Sequence, residues 1–188
     1  TRQRLGRWPD DPTPYCYSGS VGPLQPTDAA SRELHKLGNV LASRFSLRGL
    51  FGVDVVIEGD CPWPVEINPR YTAAMEVLER GLDVPLLPWH VAACRQGLLP
   101  QTVPTRRRIV GKAIVWARSK WRIPDRLWQE AVESSRMARW PDWADIPARR
   151  STIEPGHPIM TLLVEAADEA SVDEALRRRE TDVLAAGA

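Results

Sequence analysis

Residues that bind soft metals or close disulfides are scarce in this sequence of 188 residues: it has three cysteines and three histidines. Cys16, Cys61 and Cys94 match neither a zinc-ligand spacing nor a disulfide framework. They fit reduced thiols in a cytoplasmic setting. Cys16, within Tyr15-Cys16-Tyr17, has no neighbour that would activate it as a nucleophile and reads as a small buried hydrophobe. His35, His90 and His157 are scattered, and His90 follows Trp89 in a helical pattern, where a packed or surface histidine is expected. No run approaches ~18 apolar residues, and nothing at the start has the layout of a signal peptide, so membrane insertion and export lack support. Charge of one sign is also missing. Twenty-five Lys and Arg stand against 24 Asp and Glu, for a formal net charge of +1, so no global field recruits nucleic acid or an anionic membrane. The clusters Arg106-Arg107-Arg108 and Arg177-Arg178-Arg179 read as solvated faces or ion-pair donors. No internal repeat is evident.

What remains is an ordinary soluble composition, 43% hydrophobic and 26% charged, long enough to bury a core. Within it the stretch from Gly52 to Arg70 stands out. Val53 to Ile57 is β-branched except for Asp54, and Gly59-Asp60-Cys61-Pro62 has turn chemistry. Two short strands should therefore pair antiparallel across a loop of about five residues. With the turn centred near Asp60, Asp54 lies opposite Glu66. Side chains alternate along a strand, so Glu66 and Asn68 share a face on which Asp54 converges. Two carboxylates and an amide oxygen, without thiol or imidazole, form an all-oxygen set. Such a set suits a hard cation, Mg²⁺ above all, which takes a few carboxylates plus waters and substrate phosphates. A solvated sheet face is the usual reading of a hairpin bearing Asp and Glu; the nearly apolar partner strand and the continuation into Pro69-Arg70 argue against it here. Arg70 fits a substrate clamp or a structural ion-pair partner equally well.

This run resembles the end of the ATP-grasp domain, where an acidic residue on one strand and a Glu-x-Asn on the next hold the metal ions of Mg-ATP. The matching residues are Asp54, Glu66 and Asn68. Asn68-Pro69-Arg70 is similar to the motif of carbamoyl phosphate synthetase and, more loosely, of biotin carboxylase. In those families the arginine stabilises an anionic substrate or acyl phosphate, which makes Arg70 the candidate catalytic residue. Tyr17 to Leu24, Leu47 to Asp54 and Gly111-Lys112-Ala113-Ile114 look like segments of predicted ATP-grasp carboligases, so the resemblance runs from about residue 15 to the C-terminal region. It implies an ATP- and Mg²⁺-dependent ligase, with Mn²⁺ as a possible substitute. A small carboxylate would be activated as an acyl phosphate and captured by an amine or similar nucleophile. Asp54 and Glu66 would hold one ion, and Glu66 and Asn68 a second.

The resemblance also implies a fold, an α+β C-terminal ATP-grasp subdomain of antiparallel sheet with flanking helices, followed by a smaller α/β appendage. The phosphate-contacting lysines, adenine-contacting strand and hinge of such enzymes have no room before residue 15, and the chain begins with Thr1. The expectation is therefore the C-terminal part of a longer enzyme, completed by a missing N-terminal half or a partner chain. A shift to Pro, Gln, Thr and Arg over 98–108 marks a soft boundary, with 1–105 as the C-terminal half of the ATP-grasp domain and 106–188 as the appended region.

Along the chain, residues 1–14 read as irregular, and a first strand lies within Tyr15 to Ser18. Gly19-Ser20-Val21-Gly22-Pro23 reads as a flexible loop able to approach a ligand with backbone amides. Thr27 or Asp28 caps a helix to about Phe45, burying Leu34, Leu37, Val40, Leu41 and Phe45. Thr72 caps a second helix through about Arg80, whose positive end is expected to face the anionic site, and a third runs from about Pro85 to Gln96. Strands follow over Ile109 to Ala117 and Pro158 to Ala166. Between them lies an irregular tryptophan-rich segment with a short helix from about Asp125. Ser171 caps a last helix to about Ala185. Lys112 reads as a lysine at a sheet edge rather than a phosphate ligand. A different class of function is a noncatalytic interaction module that retains a degenerate hairpin and uses its tryptophans as a partner surface. A carboxylase using bicarbonate is weaker, because no biotin-type partner is visible.

Overall fold

The computed structural model describes residues 1–8, 10–105 and 108–187. Its main sheet is assembled from strands far apart in sequence: β1 (Arg2–Leu5), β2 (Tyr17–Gly22), β5 (Ile109–Trp116), β9 (Pro158–Ala166) and β7 (Trp143–Ala144), in the order β1-β2-β5-β9-β7. Every pairing in it is antiparallel. Two further ladders are separate: the hairpin of β3 (Gly52–Glu58) with β4 (Cys61–Asn68), and the short pair β6 (Trp121–Arg122) with β8 (Thr152–Ile153). The helices among the described residues number five: α1 (Asp28–Arg44), α2 (Met75–Leu82), α3 (Leu87–Gln96), α4 (Asp125–Met137) and α5 (Glu169–Ala186). This is the α+β arrangement of antiparallel sheet and flanking helices. Among the described residues no helix is long and apolar enough to cross a membrane.

The two central strands are apolar along almost their whole length because both faces are covered. Residues directly opposite in an antiparallel ladder share a face. Gly111 with Val164 and Ala113 with Leu162 therefore lie together on one side, where Val172, Leu176 and Val183 of α5 are buried. Gly111 is required there, since a Cβ would collide with Val172 Cγ1. The opposite face carries Val110 and Leu163, which cluster with Val77 of α2. Ion pairs surround this small apolar patch. Lys112 Nζ donates to Glu76 Oε2 at 2.5 Å, while Arg80 donates to Glu165 Oε1 (2.5 Å), Asp142 Oδ1 (2.6 Å) and the Pro141 carbonyl (2.8 Å).

Several local expectations are corrected. Residues 1–14 are not wholly irregular. Arg2–Leu5 forms the edge strand β1, and charged Arg2 and Arg4, ion-paired to α5, conceal it from an apolar-pattern search. Residues 19–22 are strand, not a ligand loop. Gly19, at φ +142°, lies so close to the Lys112 carbonyl that a Cβ has no space, so this glycine serves sheet packing. Lys112 is on a central strand and 7% exposed, not at an edge. In α1, capped by Thr27, Leu41 is buried but Val40 and Phe45 are exposed. Helix α2 starts at Met75 without a side-chain cap, so Thr72 is not its N-cap. The last helix is capped by Asp168, which accepts from the Ser171 amide at 2.8 Å. Helix α4 is thirteen residues long, not short.

The boundary near residue 105 falls between α3 and β5, and β2 on one side of it pairs with β5 on the other, so both parts share one sheet. Arg106 and Arg107 of the first arginine cluster lie outside the described residues. In the tryptophan-rich segment, Trp121 and Trp143 are buried and Trp116, Trp128 and Trp140 half-buried, which makes that region core rather than exposed surface. Trp63, on the hairpin, is 56% exposed.

Candidate functional site

The hairpin is tighter than the turn residues imply. Only Gly59 and Asp60 lie between the strands, with Gly59 at φ +61°, in place of a loop of about five residues. Glycine supplies the positive φ that a two-residue turn needs. The tip is tied to the first turn of α1 by Thr27 Oγ1, which donates to Asp60 Oδ1 at 2.5 Å. Asp54 stands directly opposite Glu66, and Gly52 opposite Asn68. Asp54, Glu66 and Asn68 therefore occupy one face of the ladder. A bulge follows at once: Val55 pairs with Pro64, leaving Val65 without a partner next to Glu66. Bulges re-aim neighbouring side chains and recur beside functional sites.

The electrostatics of this face are unbalanced. Asp54 is half-buried and Glu66 exposed, and neither carboxylate takes part in a side-chain hydrogen bond or ion pair among the described residues. Two like charges directly opposite on a ladder repel each other, so the hairpin gains from a cation between them. The described residues contain no cluster of three or more His, Cys, Asp and Glu able to hold a metal. The donors here are two carboxylates and the Asn68 amide oxygen. Mg²⁺ fits that sparse all-oxygen set, because it keeps several waters and takes substrate phosphates as ligands.

Asn68 and Arg70 are brought together by a tight backbone turn in which the Arg70 amide donates to the Asn68 carbonyl at 2.8 Å. Arg70 Nη2 donates to Asn68 Oδ1 and Nη1 to the Tyr71 carbonyl, both at 3.2 Å, and the arginine is otherwise exposed. It is thus a solvent-facing guanidinium folded over one of the metal-ligand candidates, free of any carboxylate among the described residues. The next residue anchors the segment. Tyr71 Oη donates to Glu79 Oε2 at 2.7 Å, and burial, followed by that hydrogen bond, pushes the phenol well above its ordinary range. Glu79 Oε1 in turn accepts from the Leu86 amide at 2.6 Å. Thr72 packs where a Cβ on Gly52 would lie, 2.9 Å from Thr72 Cγ2. Glycine at 52 therefore admits the chain after Arg70 close to the Asn68 end of the ladder. The pattern of the sequence offered no signal for that contact.

Two other sequence candidates have structural partners. Lys112 is buried against Glu76, and His90 Nδ1 accepts from the Leu50 amide at 2.9 Å, beside Gly49 at φ +77°. Cys16 is half-buried.

Residues 1–74 match the family model described as an ATP-grasp domain. The match begins at residue 1 rather than about residue 15. No curated protein matches the sequence. Among solved structures, the chain is similar to an L-amino acid ligase from Bacillus licheniformis (TM-score 0.63, 12% identity), covering 92% of this chain and 44% of that one. It is similar to N5-carboxyaminoimidazole synthase from Aspergillus clavatus in complex with ADP and 5-aminoimidazole ribonucleotide (TM-score 0.63, 16% identity, 97% of this chain and 46% of that one). It is also similar to carboxyaminoimidazole ribonucleotide synthase from Aspergillus clavatus complexed with ATP (TM-score 0.60, 18% identity, 90% and 43%). The chain thus spans less than half the length of each of these structures. Residues 1–74 carry the sequence signature of an ATP-grasp domain, on a chain whose fold is that of part of these ligases and synthetases.

Proposed function

We propose that this chain is the metal-binding and substrate-activating part of an ATP- and Mg²⁺-dependent ligase, with 1–105 as the C-terminal half of the ATP-grasp domain and 106–188 as an appended region whose strands β5, β7 and β9 join the same sheet. The observation that carries the reading is the Asp54–Glu66 cross-strand pair, two facing carboxylates with no cation partner among the described residues and with Asn68 on the same face. Asp54, Glu66 and Asn68 would hold the metal, which when bound would neutralise the phosphate charge that builds up during phosphoryl transfer. Mn²⁺ suits the same donors.

A substrate carboxylate oxygen forms a bond to the γ-phosphorus of ATP as the bond to ADP breaks, giving an acyl phosphate. An amine or similar nucleophile then attacks the acyl carbon, phosphate leaves and the nucleophile loses its proton. Arg70 steadies the anionic acyl phosphate or the substrate carboxylate. To do so it exchanges its contacts to Asn68 Oδ1 and the Tyr71 carbonyl for the incoming anion. Rate enhancement in such chemistry comes mostly from positioning and charge neutralisation. The phosphate-contacting elements that complete an ATP-grasp clamp come from an N-terminal half or a partner chain. The reaction takes place in the cytoplasm. The partner-surface alternative loses its main support, because Trp121 and Trp143 lie in the core.

Calorimetric titration of the chain with a nonhydrolysable ATP analogue, with and without Mg²⁺, tests this reading. Magnesium-dependent binding that disappears in Glu66→Ala is expected. Binding that needs no magnesium, or that persists in the variant, overturns the assignment. In an assembled active enzyme the same substitution abolishes turnover, and near-normal rates at saturating magnesium would refute it.

A further inference from the structure

A second set of unsatisfied charges lies on the far side of the main sheet from α2, in a cavity of about 650 Å³ between α4 and α5. That volume is in the range of small-molecule sites. One wall is Arg179, stacked on the Trp143 ring with its guanidinium carbon 4.5 Å from the ring centroid. Arg179 uses Nη1 to donate to the Leu163 carbonyl at 3.0 Å, and the same nitrogen stands 4.0 Å from Asp142 Oδ2. Its Nε and Nη2 make no hydrogen bond among the described residues. This is the edge of a guanidinium that takes a carboxylate with two parallel bonds. Desolvation by burial holds the group below its ordinary range, opposed by the nearby charge of Asp142.

The surrounding charge is acidic. Glu130 of α4 and Asp182 of α5 line the same cavity, and neither carboxylate has a hydrogen bond or ion pair among the described residues. Asp142 is already paired with Arg80 at 2.6 Å, so the two unpaired carboxylates face two guanidiniums, Arg179 and Arg126 on the exposed rim. The half-buried Arg179 opposes a simple cation, and the two unpaired carboxylates oppose a simple anion. A ligand carrying both charges satisfies each group. Leu127 and Ala186 supply apolar wall between the two poles.

We propose that the α4–α5 cavity binds a free α-amino acid with an apolar side chain. The carboxylate lies against the Nε and Nη2 edge of Arg179, the ammonium against Glu130 and Asp182, and the side chain against Leu127 and Ala186. The cavity is built from α4, α5 and β7 and shares no residue with the Asp54–Glu66 face, so it is a binding site separate from the proposed ligase chemistry.

Calorimetric titration of the chain with L-leucine, 4-methylpentanoate and 3-methylbutylamine tests this directly, because the two analogues each lack one of the charges. Saturable binding of L-leucine at least tenfold tighter than either analogue is expected, with loss of at least tenfold in Arg179→Gln. The double variant Glu130→Gln and Asp182→Asn, which leaves the Trp143 stack in place, should weaken L-leucine by a similar factor and leave 4-methylpentanoate unchanged or tighter. Circular dichroism establishes that each variant is folded. No heat with L-leucine, equal affinity for the three probes, or undiminished binding in the folded double variant overturns the proposal.

Discussion

The five-stranded sheet and the β3–β4 hairpin are both antiparallel, yet they are built on opposite terms. The sheet covers its two central strands with α5 on one face and α2 on the other, and its buried charges are paired: Lys112 with Glu76, Arg80 with Glu165 and Asp142. The hairpin has two strands, exposes Val56, Ile57, Trp63 and Val65, and sets Asp54 against Glu66 with no compensating cation among the described residues. An isolated two-stranded ladder is marginal by itself. Here it rests on α1 through β4 and on the Thr27–Asp60 hydrogen bond. Stability is concentrated where the buried charges have partners, and the proposed reactivity where two facing carboxylates do not.

Substitutions should separate these regions. The largest effect is expected in the sheet, where Leu162 is fully buried. Leu162→Ala should cost ~2–5 kcal/mol in urea unfolding, while leaving magnesium-dependent nucleotide binding per folded molecule unchanged. Arg80→Ala comes next. It releases Glu165, Asp142 and the Pro141 carbonyl at once, and with both carboxylates partly solvated the cost should be ~1–3 kcal/mol in the same assay.

Acid provides a third contrast. Asp11 accepts hydrogen bonds from Arg7 and Thr13, and the Arg7 guanidinium holds its carboxyl well below the usual carboxylate range. A depressed carboxylate contributes stability that is present above its unfolded value of about 4 and is lost as pH falls through its folded value. The denaturant midpoint should therefore fall between pH 5 and pH 3 by an amount that Asp11→Asn reduces. The smallest effect is expected on the hairpin, with the opposite sign. Without metal, Glu66→Gln removes a like-charge pair and should raise stability by ~0.2–1 kcal/mol at low salt. A loss of stability there would mean that Glu66 has a protein partner, and would break the contrast with the sheet.

The sequence made the hairpin face legible in detail because β-branching, turn residues and the period of two all act locally. Asp54 does stand opposite Glu66, and Asn68 follows on the same face. Strand Pro158–Ala166 was equally plain, as a continuous apolar run covered on both faces. What could not be read depends on distant partners. Strand β1 is polar because it lies at an edge and pairs with acids of α5. Gly19 looked like loop glycine but is fixed by the Lys112 carbonyl across the sheet. Val40 and Phe45 have helical spacing yet remain exposed. Asp168 replaces Ser171 as a cap because either residue has the right chemistry, and only the backbone path decides between them. The cavity around Arg179 was hidden within an arginine run that read as surface.

The most direct test of the central claim is the paramagnetic broadening of backbone amide resonances by substoichiometric Mn²⁺, in the native chain and in Glu66→Gln. The account predicts selective loss of signals around Asp54 and from Glu66 to Asn68, reversed by excess Mg²⁺ and absent in the variant. Broadening centred elsewhere, or unchanged in Glu66→Gln, would contradict it.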